Sequence, residues 1–319
     1  MPGTPNPAVT VLMPVRDGAA HLAAAVESIL GQSFGDFELL VVDDGSRDAT
    51  PAILARQAAS DARMRVLAGP ARGLVAALNW GLAEARGRHI ARMDADDLAH
   101  PARLAQQLAV LEASPGVALV GSAWRVIGVD GGIKRMVMPP LDAESVAAAL
   151  TRANPIAHPS VMLRAMAVTE AGSYRPAFLL AEDFDLWLRL SERHALINLA
   201  EPLLDYREHP GQAAWRQVAQ RAMSEMAALA AAERRRGGAP DGADGPAPAD
   251  RALLRELGLT EVAIDAGILG RALGSAKDAL AARQRAAARG FIAVALRQPG
   301  LRPRTRLHLW LLRLQAALG

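Results

Sequence analysis

Apolar positions in the first hundred residues fall into two kinds of run, and the two alternate. Val9-Thr10-Val11-Leu12-Met13-Pro14-Val15, Phe37 to Val42, Met64 to Leu67 and His89 to Met93 are short and nearly continuous, the pattern of strands buried on both faces. Ala19 to Leu30, about Ala49 to Ala59, and Leu74 to Ala85 instead carry apolar residues at helical spacing. Strand and helix in alternation predict a parallel, doubly wound α/β sheet. Past a helix ending near Ala113 the pattern changes. A long strand, Val117 to Val129, turns at Asp130-Gly131-Gly132; a strand-like Ser160 to Leu163, a helical Phe184 to Arg193 and an extended Leu196 to Tyr206 follow. This half reads as mixed and antiparallel. From Gln212 the chain turns helical and Ala-rich. Arg234 to Asp250, rich in Gly, Pro, Ala and Asp, reads as a flexible linker, and residues 251–319 are helical again. The expected organisation is an α/β domain over residues 1–215, with halves of about 8–115 and 116–215, then a helical C-terminal region over 216–319. No internal repeat is evident.

Composition narrows this picture. A chain of 319 residues with 51% hydrophobic content has ample core for one large domain plus a helical appendage. It has no Cys, which excludes disulfides and thiolate metal sites and fits a reducing compartment. The apolar stretch Val9 to Val15 is too short for a signal peptide, and no apolar run reaches the ~18 residues of a spanning helix. A soluble, cytoplasmic protein is expected, peripheral at most to the inner face of a membrane. The net charge of +3 is unevenly spread: residues 216–319 carry 17 Lys and Arg against 9 Asp and Glu, while residues 1–215 are net acidic. A basic tail suits nucleic acid, anionic lipid or a merely solvated face. Leu307, Trp310, Leu311, Leu314 and Leu318 recur at helical spacing with Arg304, Arg306 and Arg313 among them. That is the pattern of an interfacial helix on anionic lipid, or of a helix packed on its own domain or a partner. Leu309 and Leu312 widen the apolar stripe beyond one face.

The candidate chemistry is concentrated in Asp94-Ala95-Asp96-Asp97, three carboxylates in four residues directly after a buried strand. Carboxylates this close repel one another, so a divalent cation is a natural reason for the run. In an α/β sheet, strand ends are also where ligands bind. The competing reading is a solvated turn in which Asp97 caps the helix that begins around Pro101. Asp43-Asp44 and Glu182-Asp183 are two further acidic pairs after apolar segments. No G-x-x-x-x-G-K-[ST] and no G-x-G-x-x-G motif occurs, which disfavours a P-loop and a dinucleotide fingerprint. Neutralising a diphosphate would then fall to the metal and to Arg72.

Taken in order, these segments resemble the family-2 glycosyltransferases. The likeness lies in Pro14-Val15-Arg16-Asp17, Val41-Val42-Asp43-Asp44-Gly45-Ser46, Arg72-Gly73-Leu74 through Asn79-Trp80-Gly81-Leu82, and Asp94-Ala95-Asp96-Asp97. It continues through His158-Pro159-Ser160-Val161-Met162, Glu182-Asp183-Phe184-Asp185-Leu186-Trp187 and Tyr206-Arg207-Glu208-His209, so it covers about residues 8–215. The resemblance implies a nucleotide-diphospho-sugar transferase (GT-A type) fold, a divalent metal, Mn or Mg, and inverting transfer from a nucleotide sugar to a saccharide or lipid-linked acceptor, with no nucleic-acid partner. It implies that Pro14, Arg16, Asp44, Arg72, Asp94 and Ala95 bind the donor. Asp44 would read the base, and a carboxylate accepting an imide N–H favours a UDP- or dTDP-sugar. Asp96, with Asp94 and His209, would hold the metal. Asp183 would be the general base, with Glu182 its rival. His158 and Trp187 would be acceptor-facing or structural. A sugar nucleotidyltransferase on a related fold is one alternative, although after Met13 the chain lacks the Gly-rich signature and Lys that such an enzyme would show. A nucleotide-sugar-binding protein without catalysis is the other.

Overall fold

The computed structural model describes residues 6–209, 217–281 and 284–318. The described chain divides into two compact units, residues 1–174 with 186–208, and residues 175–185 with 209–319.

The first unit is a nine-stranded sheet with helices on it. Its leading half follows the predicted alternation: β1 (Val9–Val15), α1 (Leu22–Leu30), β2 (Phe37–Asp43), α2 (Thr50–Ser60), β3 (Met64–Ala68), α3 (Leu74–Glu84) and β4 (His89–Arg92). Strands β3, β2, β1 and β4 lie side by side and parallel, with Val15 opposite Asp43 and Leu12 opposite Arg92. All seven residues of β1 are buried, as a continuous apolar run requires. Pro14 is tolerated here because the β1–β4 pairing stops at Leu12. Helix α3 can lie close on β1 because position 81 is Gly: a Cβ there would meet Leu12 Cδ1 at 2.2 Å.

The trailing half is mixed, as expected. It contains β5 (Leu98–Ala99), α4 (Arg103–Ala113), β6 (Val117–Ile127), β7 (Ile133–Val137), α5 (Ala143–Leu150), β8 (Met162–Arg164), α6 (Ala165–Glu170), the last six residues of α7 (Glu182–Ser191), and β9 (Ala195–Arg207). Strand β8 runs antiparallel to β4 and β6, and β9 runs parallel to β6. The predicted strand over Ser160 to Leu163 is corrected: His158–Ser160 is a single 3-10 turn, and the strand starts at Met162. The apolar pattern did not reveal α5 or α6, nor β5, which has two residues, nor β7, which is mostly exposed.

The second unit is helical: α8 (Val218–Arg236), α9 (Arg251–Glu256), α10 (Glu261–Ala281), α11 (Arg285–Leu296) and α12 (Pro303–Leu318). Its core is a seam of small residues, including Ala272, Ala276, Ala279, Ala288, Ala295 and Ala316, closed by Phe291, Ile292, Leu309 and Leu312. The flexible linker expected over 234–250 is corrected. Residues 234–236 finish α8, and the stretch beyond is anchored: Asp241 takes Arg235 at 2.6 Å and Arg175 at 2.8 Å, while the Ala249 N–H donates to the Ala177 carbonyl. The helix start expected at Gln212 and the 215/216 boundary lie outside the described residues. Among the described residues, no helix is long and apolar enough to cross a membrane.

Candidate functional site

The parallel strands β1, β2 and β4 deliver their C-terminal ends to one edge of the sheet, the edge where α/β folds bind ligands. Arg16, Asp44 and the acidic run directly follow those ends. Two loops are stitched together there. The Asp17 N–H donates to Ser46 Oγ and the Gly18 N–H to Thr50 Oγ1, both at 2.9 Å; Asp17 Oδ1 accepts the Arg47 N–H at 2.7 Å. A side chain at Gly18 would run into Val15 and would come within 3.8 Å of the Ala95 methyl, so Ala95 faces that loop closely.

Asp44 is buried. Its oxygens accept the backbone N–H groups of Arg72, at 3.1 Å, and Gly73, at 2.7 Å. It therefore pins the loop ahead of α3, rather than closing a turn on its own neighbours. That loop needs left-handed backbone at Ala71 (φ 54) and Gly73 (φ 92). Arg16 and Arg72 are left exposed at the rim.

The acidic run gathers as the metal reading requires. Asp94, Asp96 and Asp97 each offer a carboxylate oxygen, and the three oxygens lie within 4.8 Å of one another. Asp97 is fully buried and does not cap α4, whose N-cap is Ala102. The capping reading is corrected: Asp97 Oδ1 accepts the Arg207 N–H at 2.7 Å across to β9, and its Oδ2 has no hydrogen-bond partner among the described residues. Burial, together with Asp94 and Asp96 beside it, pushes the Asp97 carboxyl well above the usual carboxylate range. Burial also raises Asp94, against the pull of Arg92, whose guanidinium lies 2.6 Å away.

Two buried arginines under the run escaped sequence reasoning. Arg92 sits in a strand whose four residues are all buried. Burial alone would lower its pKa, but Asp94 holds the guanidinium protonated. Arg103 is completely buried, pushed down to about 9 by burial and by Arg92. It donates to the carbonyls of Arg92, at 2.7 Å, and Val161, at 3.2 Å, and to Gln107 Oε1. Gln107 in turn donates to the carbonyls of Val120 and Ser160. The only sequence signal for this pair is an Arg and a Gln four apart on a helix, which any solvated helix also shows. Arg207, donating through Nε to the Asp96 carbonyl at 2.8 Å, completes the frame from β9.

His158 Nε2 lies 2.8 Å from the Tyr174 hydroxyl, and its ring meets Trp187 edge-on with centroids 5.8 Å apart. Burial, with Arg92 nearby, lowers its pKa well below the usual histidine range, so it is neutral. Trp187 is fully buried. It is core, the structural one of the two roles expected of it. Glu182, Asp183 and His209 belong to the second unit, and His209 is not one of the three clustered acids. Glu182 is buried, whereas Asp183 is half-buried in the first turn of α7.

Comparison with known proteins bears on the same segments. The profile of Glycosyl transferase family 2 matches residues 10–170. EpsE of Bacillus subtilis (strain 168) is 35% identical over 208 residues, covering 64% of this chain and 74% of that protein. The O-antigen biosynthesis glycosyltransferase WbnJ of Escherichia coli is 31% identical over 206 residues, 63% of this chain and 80% of its own. Among solved structures, the mannosyltransferase PcManGT from Pyrobaculum calidifontis, in complex with GDP-Man and Mn2+, superposes with a TM-score of 0.54 at 22% identity, covering 99% of this chain and 87% of that one. At that identity the likeness speaks to the fold, which is of the GT-A type with a helical C-terminal extension.

Proposed function

The chain belongs to glycosyl transferase family 2, and from that premise we propose a metal-dependent, inverting transfer of a sugar from a nucleoside-diphosphate donor to an acceptor hydroxyl. The nucleotidyltransferase and silent-binding readings give way to that membership. The observation that carries the proposal is the convergence of Asp94, Asp96 and Asp97, with one buried oxygen of Asp97 left without a partner among the described residues.

The residues fit a divalent cation. They offer hard oxygen donors, suited to Mg or Mn rather than to soft metals. Their mutual repulsion is the electrostatic state that a cation relieves. We assign Asp96 and Asp97 as principal ligands. Asp94 is shared with Arg92. When bound, the metal supplies positive charge against the diphosphate.

The chain's own residues do the rest. Arg72, exposed on the loop that Asp44 pins, and Arg16, after β1, meet the diphosphate as charge-assisted donors. Pro14 and Ala95 line the backbone floor. Asp183 takes the proton of the acceptor hydroxyl as that oxygen bonds to the anomeric carbon from the face opposite the diphosphate. The bond to the diphosphate breaks with its electron pair, and this single displacement inverts the centre. Half-buried Asp183 suits this exchange better than buried Glu182. We assign the transfer chemistry to residues 1–215, with the donor half over 8–115 and the acceptor half over 116–215.

The O-antigen role in the name of WbnJ supports an acceptor in cell-surface polysaccharide or glycolipid synthesis. A preference for UDP- or dTDP-sugars gains no support. Both Asp44 oxygens already accept backbone N–H groups, and solved neighbours hold both kinds of nucleotide, PcManGT with GDP-Man and S. aureus TarS with UDP-GlcNAc, so no preference is carried. The proposal therefore extends to nucleoside-diphosphate sugars as a class. Its test is Asp96→Ala, expected to lose metal-stimulated donor hydrolysis and transfer. Turnover that persists and still responds to Mn in that variant contradicts the assignment.

A further inference from the structure

We propose that the outward face of α12 docks the protein on an anionic lipid surface. Helix α12 uses one side for its own unit: Leu309, Leu312 and Ala316 are buried against the small-residue seam. The opposite side is not polar. Leu307 is 58% exposed, Trp310 55% and Leu311 47%, and Leu314 continues the same stripe at i+3 from Leu311. At 100° per residue these four side chains point directly away from the packed side. The same periodicity puts Arg306 and Arg313 along one flank of the stripe and Arg304 and His308 along the other, all exposed. Residues 285–319 hold seven Arg and no Asp or Glu.

A single exposed apolar side chain needs no explanation. A Trp-containing stripe bracketed on both flanks by cations is different, because its two chemistries must be met by one partner. An anionic bilayer interface offers an acyl boundary for Leu307, Trp310 and Leu311, and phosphate for the arginines, whose long stems reach outward while the helix lies flat. Nucleic acid would meet the arginines but not the stripe. A second copy would meet the stripe but would bring an identical ring of arginines against the first, since a two-fold contact pairs like with like. The surface therefore fits lipid best. This inference concerns the second unit alone and is independent of the transfer chemistry.

The test is co-sedimentation of the full chain with vesicles of phosphatidylcholine alone and of phosphatidylcholine with about a third phosphatidylglycerol, at low and high salt. Partition onto the anionic vesicles is expected to be tenfold or more stronger, and to fall with salt. Leu307→Glu with Leu311→Glu should abolish it; these sites are exposed, so the fold and transfer to a soluble acceptor should be unchanged. Arg304→Gln with Arg306→Gln should weaken anionic binding about fivefold or more per charge while leaving any neutral-vesicle binding alone. The part of the emission lost in Trp310→Phe should shift to the blue on adding anionic vesicles. No partition onto anionic vesicles overturns the proposal, and so does equal partition in the Leu307/Leu311 variant. Self-association that this variant abolishes, without vesicle binding, assigns the face to a second copy instead.

Discussion

The two units bury very different material. Beneath the acidic run, the first unit hides Arg92, Arg103, Gln107 and Asp97, each held by specific partners drawn from β4, β6, β9 and the turn before β8. In the second unit helices α10, α11 and α12 close on alanines and a few larger apolar side chains. Buried polar groups are costly unless satisfied, so a network of them tolerates few geometries. Alanine seams gain close helix approach but specify less. The contrast teaches where geometry matters in this protein: directional bonds surround the three carboxylates, whereas shape sets the α10–α12 seam, and the ion pairs of the second unit at Asp241 and Arg175 lie outside that seam.

The predictions set the two units against each other. The largest effect should come from chemistry. Asp183→Asn should keep donor binding and lose about 10²–10⁴-fold in kcat, the range of general-base help, read by steady-state kinetics beside a donor-binding titration. Full turnover removes Asp183 as the base. Next comes the frame. Arg103→Met should destabilise by about 2–5 kcal/mol in denaturant melts, because it removes the buried donor to the Arg92 carbonyl and to Gln107 Oε1, while the Val161 carbonyl keeps only the Arg92 N–H. The same variant should weaken metal binding through misplaced carboxylates, which simple destabilisation would not do once the protein is folded. In the helical seam, Ala276→Leu should cost about 1–3 kcal/mol by overpacking, with metal binding untouched.

A smaller effect separates charge from packing at the far end of the sheet. Burial would raise the Glu38 pKa, but hydrogen bonds from Arg65, Thr10 and the Arg86 N–H hold it below the usual range. A carboxylate depressed in the folded state contributes stability that is present above its unfolded pKa and is lost as pH falls through the folded one. Glu38→Gln should therefore lose about 1–3 kcal/mol at pH 7 and flatten the acid side of the stability profile below about pH 4. The smallest effect is expected at Arg251, whose bridges to Glu261 and Asp265 are partly solvated. Arg251→Ala should cost under about 1 kcal/mol, less at high salt.

The contrast also explains what could be read from the chain in advance. Strands β1 to β4 were legible because parallel strands buried on both faces leave continuous apolar runs. The acidic run was legible because three carboxylates in four residues have few cheap explanations. Arg92 was legible as part of a buried strand, but its pairing with Asp94 was not, since nothing in an apolar run shows which neighbour a lone Arg meets. The burial of Asp97 depends on Arg207, 110 residues away in sequence. Residues 175–185 group with the C-terminal helices, and Arg175 reaches both Asp185 and Asp241. Nothing periodic in the sequence announces a partner 66 positions on. The corrections at the 234–250 stretch and at the cap role of Asp97 fall where long-range contacts overrule local composition.

The most direct test of the metal assignment is the thermal midpoint with and without Mn and a panel of nucleoside diphosphates, for the wild type and for Asp96→Asn and Asp97→Asn. Metal and nucleotide together should raise the wild-type midpoint beyond either alone, since saturation to about 100 times Kd adds about 2.7 kcal/mol. Both variants should lose that rise. Removing one of three repelling carboxylates should also leave metal-free Asp96→Asn no less stable than the wild type. A wild type that responds to no divalent ion with any nucleotide, or variants that respond as fully as the wild type, would contradict a metal site at Asp94, Asp96 and Asp97.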